Sequence, residues 1–560
     1  MKRPSVRSRP DPAPLLLASG LTHERIAGLL KPYGIEDLKR ADANLQSMAG
    51  EPHTRKLLSV ILRDLLDTVA ETADPDQALT HWERYLQAGV NRSQLFQYLA
   101  GVPRMLHVLC SIFGNSPSLS ETVIRDPVLV YWLADEQVLT RRPSRAHLER
   151  ALRAMLANVA AAELKLEAIR RFKRREMLRI GVRDLLHVSD VPATTQALSD
   201  LASVLIQSAY EIAESDLRSR HGVPMHRDRT GGLKETGFAV IAMGKLGGGE
   251  LNYSSDVDLI YVYGSEEGET IAPAGHPGMV TSIPNEEYFE YLARALTKAL
   301  SEPTHEGSVF RVDLRLRPEG SVGPLARSLA HYRQYYRTRG QAWERQALLK
   351  ARPIAGSQPI GQAFLRTVKP FVFGWSDSAP ENWRRVIREV RETKAMIDHH
   401  VAGRGHERRN VKLGIGGIRE IEFLVQAAQM IGGRLLPAVQ VRNTLAALAR
   451  FRQEGLLSSR EYVVLAEAYL FLRNVEHKLQ MVYDLQTHAI PENEEELRRC
   501  AVRLGYPAGE RDQTARRFLK QVHRHTAGVH TMFLNLINTP ERCPLLQGIL
   551  KRSGRSHTVR

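Results

Sequence analysis

The chain has 560 residues, 43% hydrophobic and 25% charged, with a formal net charge of +16. Such a composition builds roughly two to four domains with cores of their own and excludes a disorder-dominated class. The longest apolar runs, such as Leu15 to Ala18 and Phe238 to Met243, are far short of a membrane span. The N-terminal MKRPSVRSRPDPAP lacks the apolar core of a secretory signal, so no membrane partner and a cytoplasmic location are expected. Cys110, Cys500 and Cys543 are scattered without metal-type spacing and read as structural thiols. The positive charge suits polyanions, but much of it lies in the two tails and in RRFKRRE at 170–176. No aromatic residues interleave with it as in RNA-binding surfaces, so nucleotide, phosphate or an acidic protein is favoured over nucleic acid.

Residues 1–20 read as a disordered basic tail and 21–190 as a helical region. Leu57, Leu58, Ile61, Leu65 and Val69 keep helical spacing, Asp74-Pro75 starts the next helix, and Ser118-Leu119-Ser120-Glu121 carries N-cap chemistry. In 170–186, Phe172, Met177, Ile180 and Leu185 sit among arginines. That pattern fits a charged helix face as well as a phosphate- or partner-contacting one. Thr195 to Arg218 reads as one long helix leading into a catalytic domain over 191–360.

The most informative stretch is GFAVIAMGKLGGGELNYSSDVDLIYVY, 237–263. Phe238 to Met243 suits a strand buried on both faces, and Gly244, Gly247, Gly248 and Gly249 let backbone amides approach a phosphate. Asp256 and Asp258, one residue apart on a strand, share a face, while Val257 and Leu259 take the other. Two adjacent carboxylates repel, and a divalent cation such as Mg²⁺ removes that repulsion. Lys245 precedes the glycines and no Gly-Lys-Ser/Thr follows, so this is not a Walker loop. The aspartates also follow too closely for a dinucleotide fingerprint. A lone glycine turn or a lone Asp-x-Asp is weak, and strand, Gly-Gly, Asp-x-Asp, strand in that order points to a nucleotidyltransferase.

Residues 264–284 form a Gly/Pro/acid-rich loop, a lid or an insertion, and 286–300 a helix with Tyr288, Leu292, Ala295 and Leu296 inward. SVFRVDLRLRPEG, 308–320, alternates strictly and predicts a half-buried strand bearing Arg311, Asp313, Arg315 and Arg317 on its polar face. Asp313 supplies a third metal-binding carboxylate and Arg315 and Arg317 phosphate contacts. Residues 335–355 read as a helix, with Trp343 and Leu348 packing and Lys350 or Arg352 as candidate phosphate contacts. Residues 361–545 read as a helical bundle, and 546–560 as a basic tail. Within the bundle, LGIGGIREIEFLVQ (413–426) puts glycines ahead of a helix with Ile421, Leu424, Val425 and Ala428 inward. Those glycines are a cap or the start of an anion-binding N-terminus. Leu465, Ala468, Leu472, Val475, Leu479 and Val482 are bundle core, and His523, His525 and His530 are poorly placed as metal ligands. The fold class is therefore α+β, predominantly helical, with a small mixed β-sheet nucleotidyltransferase core flanked by helical regions.

ELNYSSDVDL and RVDLRLRPEG, with DPDQALTHWERYL, IFGNSPSLSETVIRDP, RRFKRREMLRIGVRDL, MGKLGGGELNYSSDVDLIY, GQAWERQALLKARPIAG, KLGIGGIREIEFLVQ and AYLFLRNVEHKLQ, make the chain resemble the bacterial glutamine synthetase adenylyltransferase/adenylyl-removing enzymes over nearly all of its length after the basic tail. That family carries two nucleotidyltransferase domains, and this chain contains one. ELNYSSDVDL, VGPLA and GGIREIEF are similar to the half that removes AMP. The resemblance implies phosphorolysis of adenylyl-tyrosine, with phosphate as substrate and ADP as product, ATP being the nucleotide of the opposite reaction. It implies glutamine synthetase as substrate, a PII-type nitrogen-signalling protein as regulator, and a separate chain carrying the second domain as partner. Gly247, Gly248, Asp256, Asp258 and Asp313 match the superfamily's glycine pair and metal triad, which would hold two Mg²⁺, or Mn²⁺, ions. Ser254 or Ser255 and Lys245 join the expected phosphate contacts. The competing readings are a nucleotidyltransferase acting on RNA or a small molecule, and a non-catalytic scaffold.

Overall fold

A computed structural model describes residues 9–272, 281–374, 380–402, 409–508 and 511–555. The chain divides into two compact units, 1–142 with 175–194 and 474–523, and 143–174 with 195–473 and 524–560.

The first unit is helical throughout its described residues. Pro52–Val69 buries Leu58, Ile61, Leu65 and Val69, as the spacing predicts. Asp74 caps Pro75–Gln87 by accepting from the Gln77 amide at 3.0 Å. Trp82 meets Phe113 edge-on at 5.1 Å, and Cys110 and Cys500 are buried among such side chains. The cap of Pro117–Arg125 is Ser116 rather than the expected Ser118, because Pro117 takes the first helical position. The tail expected to be disordered through residue 20 forms a short helix, Pro14–Leu17, whose Leu15 and Leu16 are buried. Among the described residues no single helix is long and apolar enough to cross a membrane. A bent pair, Arg92–Gly101 with Pro103–Asn115, passes by length and composition, yet it buries Phe96, Leu99, Leu106 and Leu109.

The second unit holds the sheets. Its strands are β1 (Val223–Arg227), β2 (Leu233–Glu235), β3 (Phe238–Ala242), β4 (Val257–Tyr263), β5 (Thr270–Ile271), β6 (Val312–Asp313), β7 (Ala326–Ser328) and β8 (Arg352–Gly356). A small sheet runs β2-β1-β5; the main sheet runs β6-β4-β3-β8, with β7 also on β4. Strands β3 and β4 are antiparallel, while β6 and β7 lie parallel to β4, so the main sheet is mixed. All five residues of β3 are buried, as expected for a strand covered on both faces. Helix Asn285–Ser301 packs Tyr288, Phe289, Leu292 and Leu296 inward, with Phe289 stacked on Tyr263 at 4.7 Å. The expected helix over 195–218 runs from Val191 to His221. In the loop expected over 264–284, residues 273–280 lie outside the described residues, and Thr270–Ile271 forms β5.

Four expectations change. The strand predicted over 308–320 is only β6, two residues long. Arg315 and Leu316 turn away, because Pro318 and Gly320 follow and Asp313 accepts the Arg315 amide at 2.9 Å. The helix predicted over 335–355 is two helices, Leu329–Thr338 and Ala342–Leu348, broken at Gly340, and then β8, whose partner β3 overrides local propensity. Trp343, expected to pack, is 41% exposed, whereas Leu348 is buried. The tail expected from 546 is largely helical, since Pro544–Arg555 buries Leu545, Leu546 and Ile549.

Beyond β8 come helices Ile418–Gly432, Thr444–Gln453 and Ser459–Tyr483. Ile421, Leu424, Val425 and Ala428 of the first are buried, as are Leu465, Ala468 and Leu472 of the third.

Candidate active site

Strand β3 ends at Ala242, and the chain turns at once into a five-residue helix, Gly244–Gly248, closed by Gly249 at φ +71°. Gly244 has φ +51°, and a Cβ there would lie 2.3 Å from Oδ2 of Asp258, so the Asp258 carboxylate rests against bare backbone. The Met243 amide donates to the Asp258 carbonyl at 2.8 Å, fixing β4 against this turn. The glycines were expected to aim amides at a phosphate, and at Gly247 the structure does otherwise. Its amide donates to the Met243 carbonyl at 2.9 Å, and a Cβ would lie 2.0 Å from the Lys350 carbonyl oxygen. Gly248 would meet the Glu250 carboxylate at 2.8 Å. These two glycines let the turn pack onto the sheet and the helices beneath it.

The acids converge as the spacing suggests. In the parallel pairing of β4 with β6, Asp258 stands opposite Asp313 and Val257 opposite Val312. Val257 and Leu259 are fully buried and Asp258 is only partly so, which fits Asp258 on the other face. Asp256 precedes the strand. Burial pushes the Asp258 carboxyl up to about 6, helped by the neighbouring charges of Asp313 and Asp256 and opposed by Lys412 and Arg419.

Each of the other acids holds a guanidinium. Arg311 donates from Nε to Asp256 Oδ1 at 2.7 Å and from Nη2 to the Ser254 carbonyl and Oγ at 2.8 and 3.1 Å. Arg315 donates from Nε to both Asp313 oxygens at 3.0 Å and from Nη2 to Oδ2 at 2.6 Å. That fork holds the Asp313 carboxyl below the usual range. The Arg315 side chain is 77% exposed beside this pair. Ser254 is buried in the turn before Asp256, and Ser255 beside it is half-buried. Lys245, on the glycine helix, is half-buried and lowers the Glu422 carboxyl after the larger effects of burial, Lys350 and Arg419.

Three candidate phosphate contacts are engaged by groups of the protein itself. Arg317 is 6% exposed and donates to the carbonyls of Leu314, Gly323 and Pro324 at 2.8, 2.8 and 3.0 Å, tying the loop together. It also lines a cavity of about 780 Å³ with Glu286, Glu287 and Glu290, although its charge reaches Asp313. Arg352 donates to the Leu246 and Gly247 carbonyls at 2.7 and 3.1 Å, clamping the glycine helix to β8. Lys350 is buried, with Nζ 2.7 Å from Glu250, 3.1 Å from Glu422 and 3.3 Å from Thr444 Oγ1. Burial alone would lower its pKa, but the two carboxylates raise it overall, so it stays protonated.

The N-terminus of Ile418–Gly432 does not offer amides to an anion either. The Ile418, Arg419 and Glu420 amides donate to the carbonyls of Val411, Lys412 and Gly417 at 2.9, 2.9 and 3.1 Å. The charges of Lys412 and Arg419 on this segment oppose the rise of the Asp258 carboxyl, a contribution that reading the glycines alone had missed. The signal was in the letters, KLGIGGIRE, as two cations flanking the glycines. His530 bonds Glu420 at 3.1 Å, and His525 stacks on Phe471 at 4.7 Å.

Three carboxylates from two strand ends are hard oxygen donors, and Asp258 is disfavoured as an anion by burial and two like charges. Both features fit a divalent cation. A second group, Glu167, His305 and Glu306, brings ligand atoms within 4.8 Å of one another. Its carboxylates are already paired with Arg170 at 3.2 Å and with Arg174.

A family model described as glutamate-ammonia ligase adenylyltransferase matches residues 106–367, and one described as GlnD PII-uridylyltransferase matches 391–537. A bifunctional glutamine synthetase adenylyltransferase/adenylyl-removing enzyme of Hahella chejuensis is 39% identical over 404 residues, 70% of this chain and 39% of that protein. The enzyme of the same description from Mesorhizobium japonicum is 35% identical over 483 residues, 82% of this chain and 46% of its own length. That from Xanthomonas campestris pv. campestris is 41% identical over 339 residues, 60% and 34%. The chain thus spans less than half the length of the curated relatives it matches. The strand-end acids of this predominantly helical α+β fold lie inside residues 106–367, and over most of its length the chain is similar to the glutamate-ammonia ligase adenylyltransferase family.

Proposed function

We propose that this chain is a metal-dependent nucleotidyltransferase that removes AMP from a tyrosine of glutamine synthetase by phosphorolysis. The observation that carries the chemistry is the side-by-side register of Asp258 and Asp313, with Asp256 one residue before β4, at the end of the glycine helix. The direction rests on the likeness of ELNYSSDVDL, VGPLA and GGIREIEF to the AMP-removing half of the family.

In this reaction an oxygen of hydrogenphosphate attacks the adenylyl phosphorus. The new P–O bond makes ADP, the bond to the phenolic oxygen breaks, and that oxygen keeps the electron pair and takes the proton released by the phosphate. Asp256, Asp258 and Asp313 would hold Mg²⁺, which when bound supplies charge neutralisation at the reacting phosphoryl group. Arg315, released from Asp313, orients a phosphate oxygen, and Ser254 or Ser255 lines the approach. A phosphate nucleophile is already anionic and needs no general base. The substrate protein, a PII-type regulator and a second chain completing the enzyme belong to the same proposal; the match of 391–537 to a PII-uridylyltransferase model supports the regulatory part.

Asp256→Asn tests it. With adenylylated glutamine synthetase, Mg²⁺ and phosphate, the wild-type chain forms ADP and the variant, equally folded by circular dichroism, does not. Undiminished turnover by the variant refutes the assignment of the acids. AMP transfer from ATP onto unmodified glutamine synthetase, without ADP formation in the first assay, reverses the direction.

A further inference from the structure

Arg311 and Arg315 stand two residues to either side of Asp313, and the structure holds them in opposite ways. The parallel register that sets Val312 beside Val257 brings Arg311 beside Asp256 one residue earlier, and the Val257 amide donates to the Arg311 carbonyl at 2.9 Å. From there the Arg311 side chain crosses to the chain entering β4. Its Nε donates to Asp256 Oδ1 at 2.7 Å, and its Nη2 to the carbonyl and Oγ of Ser254 at 2.8 and 3.1 Å. Ser254 is 3% exposed, so two of the three bonds end on a buried anchor. The third fixes one oxygen of Asp256, and Oδ2 takes none of them. Arg315 lies past the turn at Asp313, whose Oδ1 accepts the Arg315 amide at 2.9 Å, and its guanidinium folds back on that same carboxylate. Nε reaches both oxygens at 3.0 Å and Nη2 reaches Oδ2 at 2.6 Å, so both oxygens of Asp313 are covered. The Arg315 side chain is also the more exposed of the two, 77% against 51%.

We propose that the two arginines act in opposite directions on a divalent cation at the three aspartates: Arg311 is a positioning residue that holds Asp256 ready to bind it, and Arg315 is a counter-ion that competes with it for Asp313. The inference rests on the metal-dependent reading of the acids. A ligand carboxylate with one oxygen hydrogen-bonded to an outer group keeps its orientation, and such outer partners contribute about ten- to a hundredfold to metal affinity. Arg311 fits that part, because its planar fork ties the Asp256 carboxylate to a buried serine and to the register of β4 with β6. A guanidinium that covers both oxygens lowers affinity instead, since its bonds break before the carboxylate binds a metal. At an exposed pair that exchange is mild, about two- to fivefold. Loss of the Arg311 charge by itself would tighten a dication by removing repulsion, so weaker binding by an Arg311 variant reports positioning and not charge.

Mn²⁺ binding by the full chain without substrate, read from the electron paramagnetic resonance of the free ion, separates the two roles. Arg311→Gln and Arg311→Lys each weaken binding by about ten- to a hundredfold, because lysine keeps the charge but cannot make the fork. Arg315→Gln tightens it by about two- to fivefold. Circular dichroism confirms that each variant is folded, and should Arg311→Gln misfold, Arg311→Lys decides alone. Affinities of the Arg311 and Arg315 variants that do not move apart in these directions overturn the proposal and leave the metal reading intact. Absence of Mn²⁺ binding in both the wild type and Arg315→Gln removes the metal reading, and the proposal with it.

Discussion

Lys350→Met isolates the buried ion network beneath the glycine helix. The ammonium is 8% exposed and sits 2.7 Å from Glu250, 3% exposed, and 3.1 Å from Glu422, 7% exposed. Removing it leaves two carboxylates facing each other with little solvent, and breaking one partner of a buried pair costs about 3–5 kcal/mol. A second route gives a similar size. Burial would raise the Glu422 carboxyl, but Lys350 and then Arg419 hold it down at about 2 against an ordinary 4.5, a difference of about 3 kcal/mol. The sign follows from linkage: a depressed acid adds stability that is complete above about pH 4.5 and lost as pH falls toward 2. The assay is urea unfolding at pH 7.5, followed by hydrogen exchange in peptides covering β3 and β4. The variant's midpoint falls by about 1 M for a slope near 3 kcal/mol/M. The gap from the wild type narrows below pH 4.5, and the double variant Lys350→Met/Glu422→Gln recovers part of the loss. A penalty under about 1 kcal/mol at pH 7.5, or one independent of pH, would refute the network as a structural bolt.

The other predictions concern the acids and their supports. Burial holds the Asp258 carboxyl at about 6 against an ordinary 3.8, so this group costs nothing below pH 3.8 and its ionisation penalises the metal-free fold increasingly as pH rises from 3.8 to 6. Asp258→Asn should therefore raise the metal-free melting temperature at pH 7.5 but not at pH 3.5, and should remove the stabilisation that Mg²⁺ gives the wild type. Gly244→Ala puts a Cβ 2.3 Å from Asp258 Oδ2 at φ +51°; turnover should collapse and stability fall by about 1–2 kcal/mol, read by urea titration. Arg317→Met strips donors from the carbonyls of Leu314, Gly323 and Pro324. It should cost about 1–3 kcal/mol of stability with little change in the KM for phosphate, separating it from Arg315→Met.

The residues that sequence placed well are those whose geometry depends on spacing along one strand. Asp258 faces away from Val257 and Leu259 because a strand alternates, and the buried run Phe238–Ala242 declares a central strand by composition alone. Asp313 was expected on a neighbouring strand from the alternation of 308–320, and two residues of β6 suffice to set it opposite Asp258. What spacing cannot convey is which partner a charge finds across 100 residues of chain. Arg317 and Arg315 look alike in RLRP, yet Arg317 is drawn inward by backbone carbonyls that a turn exposes and Arg315 outward by Asp313. Lys350 and Lys412 are equally anonymous lysines. One is neutralised by Glu250 and Glu422, so it cannot serve an anion, while the other stays half-buried within the field of Asp258. The same reasoning explains the glycines. Close approach was correctly read from Gly-Gly, but the approaching group is the Lys350 carbonyl from the chain entering β8, a long-range neighbour no local pattern names. The site's charge balance, three acids against cations from β6 and from the helix after Gly417, is a property of the packed sheet and helices. It explains why replacing an acid alone should shift stability as well as catalysis.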